Sequence, residues 1–266
     1  GLTRVAMTFG THPATVLDSG GAPTRLSTLK RRFELLETSG IERIAVLGFD
    51  ESIRDMTPEE FVDGFLVEGL NTRLVAVGAG FRFGRDAAGT TETLTELGMS
   101  REFDVEVIDI VCQDDEEIRS TLIRQRLERG DVTGAASMLG RQYEMEGIVV
   151  PGDGRGHQLG VPTANVSFPA ILTVPSRGVY AVSVGIDGAA HPGVANLGVR
   201  PTFDGTEQVL EVHVLGYERD LYGKHLRVGF VERIRDERRF GSIDELLKQI
   251  RADITLAASI LDEQTS

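Results

Sequence analysis

The hydrophobic pattern of this 266-residue chain changes period once, near Gly140. Before that point, short apolar runs alternate with stretches of helical spacing. Arg4–Phe9, Arg43–Leu47, Leu74–Val77 and Val105–Val111 read as strands. Leu29, Phe33 and Leu36, then Phe61 and Leu66, recur at helical spacing, and a further helix lies near Glu92–Leu97. Such alternation predicts βα units around a parallel sheet. Ile118–Arg129 and Val132–Leu139 follow as two helices broken at Gly130. After Gly140, strand patterns succeed one another without helices between them: Glu144–Val150, Val179–Val184, Gly193–Asn196, Val209–Leu215 and Leu226–Phe230. That succession predicts an antiparallel sandwich or barrel. The last segment opens with "SIDE", where Ser242 and Glu245 fit a capping box. Ile243, Leu246, Ile250, Ile254, Ala257 and Leu261 then mark one helical face. The expected division is an α/β domain at 1–140 and an all-β domain with a C-terminal helix at 141–266.

Charge and cysteine content narrow the function classes. The formal net charge of -13 repels nucleic acid and anionic membrane, so neither is expected as a partner. A nucleotide can still bind, because loop N–H groups, a few cations and Mg²⁺ suffice locally. The single cysteine, Cys112, excludes a disulfide framework and fits a reducing cytoplasm. No stretch has the apolar length of a membrane span, and no signal peptide is visible. The chain starts without Met and is strand-like within four residues, which reads as a processed start or a fragment. Nothing in the sequence specifies an oligomeric state.

Three stretches carry chemistry. The first is "GDGRGHQLGVPTAN", Gly152–Asn165. Its glycines let a backbone close on an anion. Thr163 and Asn165 are two apart, so on a strand they share a face. The Thr163 hydroxyl suits Mg²⁺, and Asn165 suits the same ion or a phosphate; a plain hairpin loop is the competing reading. The second is "VLEVHVLGY", Val209–Tyr217, whose alternation puts Glu211 with Val209 and His213 and opposite Leu210, Val212 and Val214. Glu211 is a general base if that face meets a cleft, and a solvated carboxylate otherwise. His213 reads as a structural histidine. The third is "RIRDERRF", Arg233–Phe240, either a lid over an anion and an aromatic ring or a solvated loop stapled by Phe240. The acidic run Asp114–Glu117 reads as a helix N-terminal cluster. His12 and the "GFRFG" at Gly80–Gly84 follow strands and are candidates for a crevice at the strand ends. There is no Walker-type phosphate loop, no CxxC and no H-x-x-x-H, so a zinc site is not expected.

These motifs in this order resemble the prokaryotic riboflavin kinase/FMN adenylyltransferase (FAD synthetase) family. The likeness is carried by "LGVPTAN", "PGVANLGVRPTF", "LEVHVLGYERDLYGK" and "RDERRFGSIDELLKQI". The resemblance implies a six-stranded barrel with a C-terminal helix that phosphorylates the 5′-hydroxyl of riboflavin from Mg-ATP. It implies Glu211 as base, and Thr163 and Asn165 beside Mg²⁺ and the ATP phosphates. It also implies Gly152, Gly154 and Gly160 in the nucleotide-side loop and Arg235, Glu237 and Phe240 in the flavin-side loop.

The first half resembles the family's adenylyltransferase module, of nucleotidyltransferase-like α/β fold. No H-x-G-H segment occurs in the sequence. The family's Phe-Asp-Pro-His-Pro stands as "FGTHP", Gly80 replaces an Asp, and Arg119 replaces the first Ser of Ser-Ser-Thr-x-Ile-Arg. His12, Ser120, Thr121 and Arg124 are the surviving matches. These departures predict a riboflavin kinase that makes FMN, with an incomplete or degenerate adenylyltransferase module. Two alternatives stand beside it: a complete bifunctional enzyme whose N-terminus lies outside this sequence, and a non-catalytic flavin-binding regulator.

Overall fold

The computed structural model describes residues 1–10, 22–152, 156, 159–202 and 205–264, with backbone alone at 201, 202 and 205–207. Two compact units emerge, Gly1–Pro23 with Leu29–Ile118, and Thr24–Thr28 with Arg119–Ser266.

The first unit runs β1 (Val5–Phe9), α1 (Leu29–Thr38), β2 (Arg43–Leu47), α2 (Glu51–Arg54), α3 (Pro58–Phe61), β3 (Leu74–Gly78), α4 (Thr91–Ser100), β4 (Asp104–Ile108), β5 (Cys112–Gln113) and β6 (Glu116–Glu117). The expected parallel strands form two parallel pairs, β1 with β2 and β3 with β4. Thr57 and Glu60 close a reciprocal capping box at the start of α3, with Pro58 at the first helical turn. That helix runs directly into a π-helical stretch, Val62–Gly69. Phe61, Val62, Leu66, Phe83, Leu94 and Phe103 form the core of this unit. Phe81 and Phe83 stack at 5.5 Å, so the rings of "GFRFG" serve packing. The acidic run departs from its expected role. Asp114 and Asp115 have φ of 49° and 65° and form the tip of the β5–β6 hairpin. Two adjacent positive-φ residues suit a type I′ turn, which Asp tolerates.

The second unit contains α5 (Ser120–Glu128), α6 (Val132–Leu139), β7 (Tyr143–Val150), β8 (Ala164–Ser167), β9 (Gly178–Ile186), β10 (Ala189–Thr202), β11 (Gly205–Val214), β12 (His225–Arg235) and α7 (Ile243–Glu263). The six strands close into a barrel in the order β10-β11-β8-β7-β12-β9. Alternate residues fill it: Tyr143, Tyr180, Leu197, Leu210, Leu226 and Phe230 are fully buried. Burial raises the pKa of the Tyr143 and Tyr180 phenols, which stay neutral and donate to the carbonyls of Thr173 and Ser176.

Helices α5 and α6 precede residue 140, yet they lie in this second unit. Ile123, Leu127, Val132, Ala135 and Met138 are their buried stripe, and the Leu127 carbonyl accepts from Ser176 N at 2.9 Å. Residues 24–28 form a strap on the same unit. Thr28 Oγ1 donates to the buried Glu146 carboxylate at 2.9 Å, which Arg227 also grips at 2.8 Å. Helix α7 covers the outer barrel face through Ala257, which packs with Ala181 and Val231. Ser242 caps α7 by accepting from Glu245 N at 3.2 Å, but the Glu245 carboxylate bonds Gly241 N instead of completing a capping box. Ile243, expected on the apolar face, is 63% exposed because it lies in the first turn, ahead of the barrel contact.

Candidate functional site

Barrel pairing builds one polar row. Leu210, Val212 and Val214 point into the barrel, so Glu211 points outward, as its alternation predicts. Directly across from Glu211 lie Asn165 of β8 on one side and Asn196 of β10 on the other. Asn196 in turn pairs with Val179, and Val179 with Arg235. Cross-strand partners share a face, so Asn165, Glu211 and Asn196 form a continuous polar stripe. The stripe borders a cavity of about 850 Å³, walled by the outer barrel surface, the β12–α7 loop and α7.

Glycines make room for the stripe. A Cβ at Gly152 would collide with the Asn165 amide, and one at Gly198 with the Glu237 carboxylate. Gly152 thus serves close approach and not only loop flexibility. Thr163 precedes β8 and shares the side of Asn165. Its neighbour Pro162 is anchored through its carbonyl, which accepts from His213 Nδ1 at 2.7 Å. His213 is therefore a structural histidine that fixes the approach of the Pro-Thr-Ala-Asn stretch. Arg200 reaches Asn165 Oδ1 at the long limit of 3.5 Å and brings positive charge into the cavity.

The far wall is basic and aromatic. Arg235 forks onto Asp253 of α7, with Nε to Oδ1 at 3.0 Å and Nη2 to Oδ2 at 2.7 Å. The guanidinium carbons of Arg235 and Arg238 lie 5.8 Å and 4.8 Å from the Phe240 ring centroid. Leu246, Ile250 and Ile254 of α7 complete an apolar side. A cavity with one apolar wall, stacking groups and a carboxylate–amide row suits a small ligand that has both an apolar and a polar part.

The structure brings Gly152, Thr163, Asn165, Glu211, Arg235, Glu237 and Phe240 around this one cavity. Gly160 does not line it; its φ of 74° serves a turn. Ser120, Thr121 and Arg124 lie on α5 and do not line it either. Arg124 Nε instead holds the strap by donating to the Thr24 carbonyl at 2.6 Å. His12 and Gly154 lie outside the described residues. Sequence reasoning missed Asn196, Arg200, Gly198 and Asp253. Asp253 carried a signal, a carboxylate inside the apolar stripe between Ile250 and Ala257; Asn196 is visible only through strand register.

The oxygen donors Thr163 and Asn165 suit a hard cation. Among the described residues no three His, Cys, Asp or Glu side chains gather into a metal cage. A Mg²⁺ here would draw most of its ligands from phosphates and water, as it commonly does. Among the described residues, no helix is long and apolar enough to cross a membrane.

Comparison with known proteins matches both halves of the chain. A family model for riboflavin kinase matches residues 139–261, and one for FAD synthetase matches residues 1–122. The bifunctional riboflavin kinase/FMN adenylyltransferase of Escherichia coli (strain K12) is 38% identical over 95% of this chain and 80% of that protein. The protein of the same description from Bacillus subtilis (strain 168) is 35% identical over 95% of the chain and 81% of its own length. A solved structure described as a macrolide-efflux protein from Streptococcus pneumoniae is similar with a TM-score of 0.87. It is 30% identical and covers 97% of this chain and 84% of its own.

Proposed function

The chain belongs to the bifunctional riboflavin kinase/FMN adenylyltransferase family, and we propose that its barrel, residues 141–266, transfers the γ-phosphoryl group of ATP to the riboflavin 5′-hydroxyl to give FMN. The observation that carries this reading is the Asn165–Glu211–Asn196 row along a cavity whose other wall is apolar and aromatic.

A primary alcohol is a weak nucleophile at neutral pH. Glu211 accepts its proton as the oxygen attacks the γ-phosphorus of ATP. The new O–P bond forms as the bond from that phosphorus to the β,γ-bridging oxygen breaks, and ADP leaves with the bridging oxygen. A Mg²⁺ held beside Thr163 and Asn165 would supply charge to offset that of the phosphates. Thr163 and Asn165 are the residues to hold that ion and the phosphates, with Gly152 leaving space for the Asn165 amide. Arg235, Glu237 and Phe240 border the flavin end. Alignment of donor and acceptor supplies the remaining rate gain.

Removing the Thr163 hydroxyl tests the metal assignment. Thr163→Ala should raise the Mg²⁺ concentration needed for half-maximal FMN formation by about tenfold or more. An unchanged Mg²⁺ titration would take Thr163 out of the metal's surroundings.

The first module is read differently from the sequence expectation. The FAD synthetase model spans residues 1–122, and the relatives named above are bifunctional, so the expected loss of FAD formation has no support. Adenylyl transfer from ATP to FMN is therefore the second activity proposed for this chain.

A further inference from the structure

We propose that Asp253 is the positioning residue for the flavin side of the cavity, a role that rests on the riboflavin kinase reading above. Asp253 is 3% exposed, one of four buried polar or charged residues among those described. A lone buried carboxylate is costly, so its partners matter. It has two. Arg235 forks onto it, and Gln249 Nε2 donates to Oδ1 at 2.7 Å.

Both partners lead to Phe240. The Arg235 guanidinium lies near the Phe240 ring and also donates through Nη1 to the Asp236 carbonyl at 2.9 Å. Gln249 uses its other end, Oε1, to accept from Arg238, the second cation over the same ring. One carboxylate on α7 thus fixes two guanidiniums, the first carbonyl of the β12–α7 loop and the ring that borders the cavity. Glu237 sits in the same short loop, with its carboxylate over Gly198. A fork between two planar groups sets orientation as well as distance. Asp253 therefore acts through Arg235 and Gln249 and sets where Phe240 and Glu237 meet the flavin.

The test uses the full chain, with riboflavin and Mg-ATP as the varied substrates. Asp253→Asn keeps the shape and removes the charge that holds Arg235. It should raise the KM for riboflavin by about tenfold or more, in line with the cost of misplaced positioning groups. The KM for ATP should stay within about twofold, because the loss is confined to flavin binding. Gln249→Ala removes the bridge to Arg238 but leaves the Arg235–Asp253 fork in place, and should raise the riboflavin KM by about two- to threefold. Thermal melting of both variants checks the fold. A lowered melting point with unchanged riboflavin KM in both variants would make the ion pair a structural strut and overturn the proposal. Equal rises in both KM values would overturn it too. If the wild-type chain forms no FMN, the function reading fails first, and this proposal with it.

Discussion

Glu211→Gln should lower the rate of FMN formation by about two to four orders of magnitude. Glutamine keeps the size of glutamate and can accept hydrogen bonds, but it cannot take a proton from an alcohol. The strand around it should not respond, because Leu210 and Val212 pack inward and the changed atom faces the cavity. Both KM values should move little, because glutamine keeps the size of glutamate and still accepts hydrogen bonds. Steady-state kinetics with chromatographic detection of FMN checks this. A rate within threefold of wild type would remove Glu211 as the base and leave alignment alone to explain turnover.

Phe230→Ala should destabilise the barrel by about 3–5 kcal/mol. Phe230 has no exposed surface. Its ring lies 6.3 Å from Tyr143 and 5.2 Å edge-on from Tyr180, so truncation leaves a hole between two large rings that other bonds hold in place. Tyr143 is tied to the Thr173 carbonyl and Tyr180 to that of Ser176, so neither ring is free to close the gap. Urea unfolding followed by far-ultraviolet circular dichroism reads the loss. Ile243→Ala is the control, because that side chain is 63% exposed, and its midpoint should match wild type. A Phe230→Ala midpoint equal to wild type would mean that the barrel interior refills at no cost.

Much of the second unit was legible because alternation in a strand has only two faces. That rule put Glu211 and His213 on one side and Leu210 and Val212 on the other, and the strands obey it. It also put Thr163 and Asn165 together. What alternation cannot give is the neighbour across the ladder. Asn196 faces Glu211 through β10–β11 register, which depends on the hairpin and not on either strand's own pattern. Asp253 shows a different limit. Helical periodicity marks the face by its apolar residues and says nothing of a carboxylate among them, whereas a guanidinium from β12 makes Asp253 buried and paired. The helix pair before residue 140 followed its own apolar stripe onto the barrel, where local pattern gives no partner. The acidic run was misread because two aspartates at positive φ look, in one dimension, like the start of a helix.

The most direct test incubates the purified chain with riboflavin, ATP and Mg²⁺ and separates the flavins by chromatography over time. The account predicts that riboflavin disappears as FMN accumulates, with one ADP formed for each FMN, and that FAD follows if the first module acts. Riboflavin that stays bound and unconverted, with ATP intact, would contradict it and make this chain a flavin-binding protein without kinase activity.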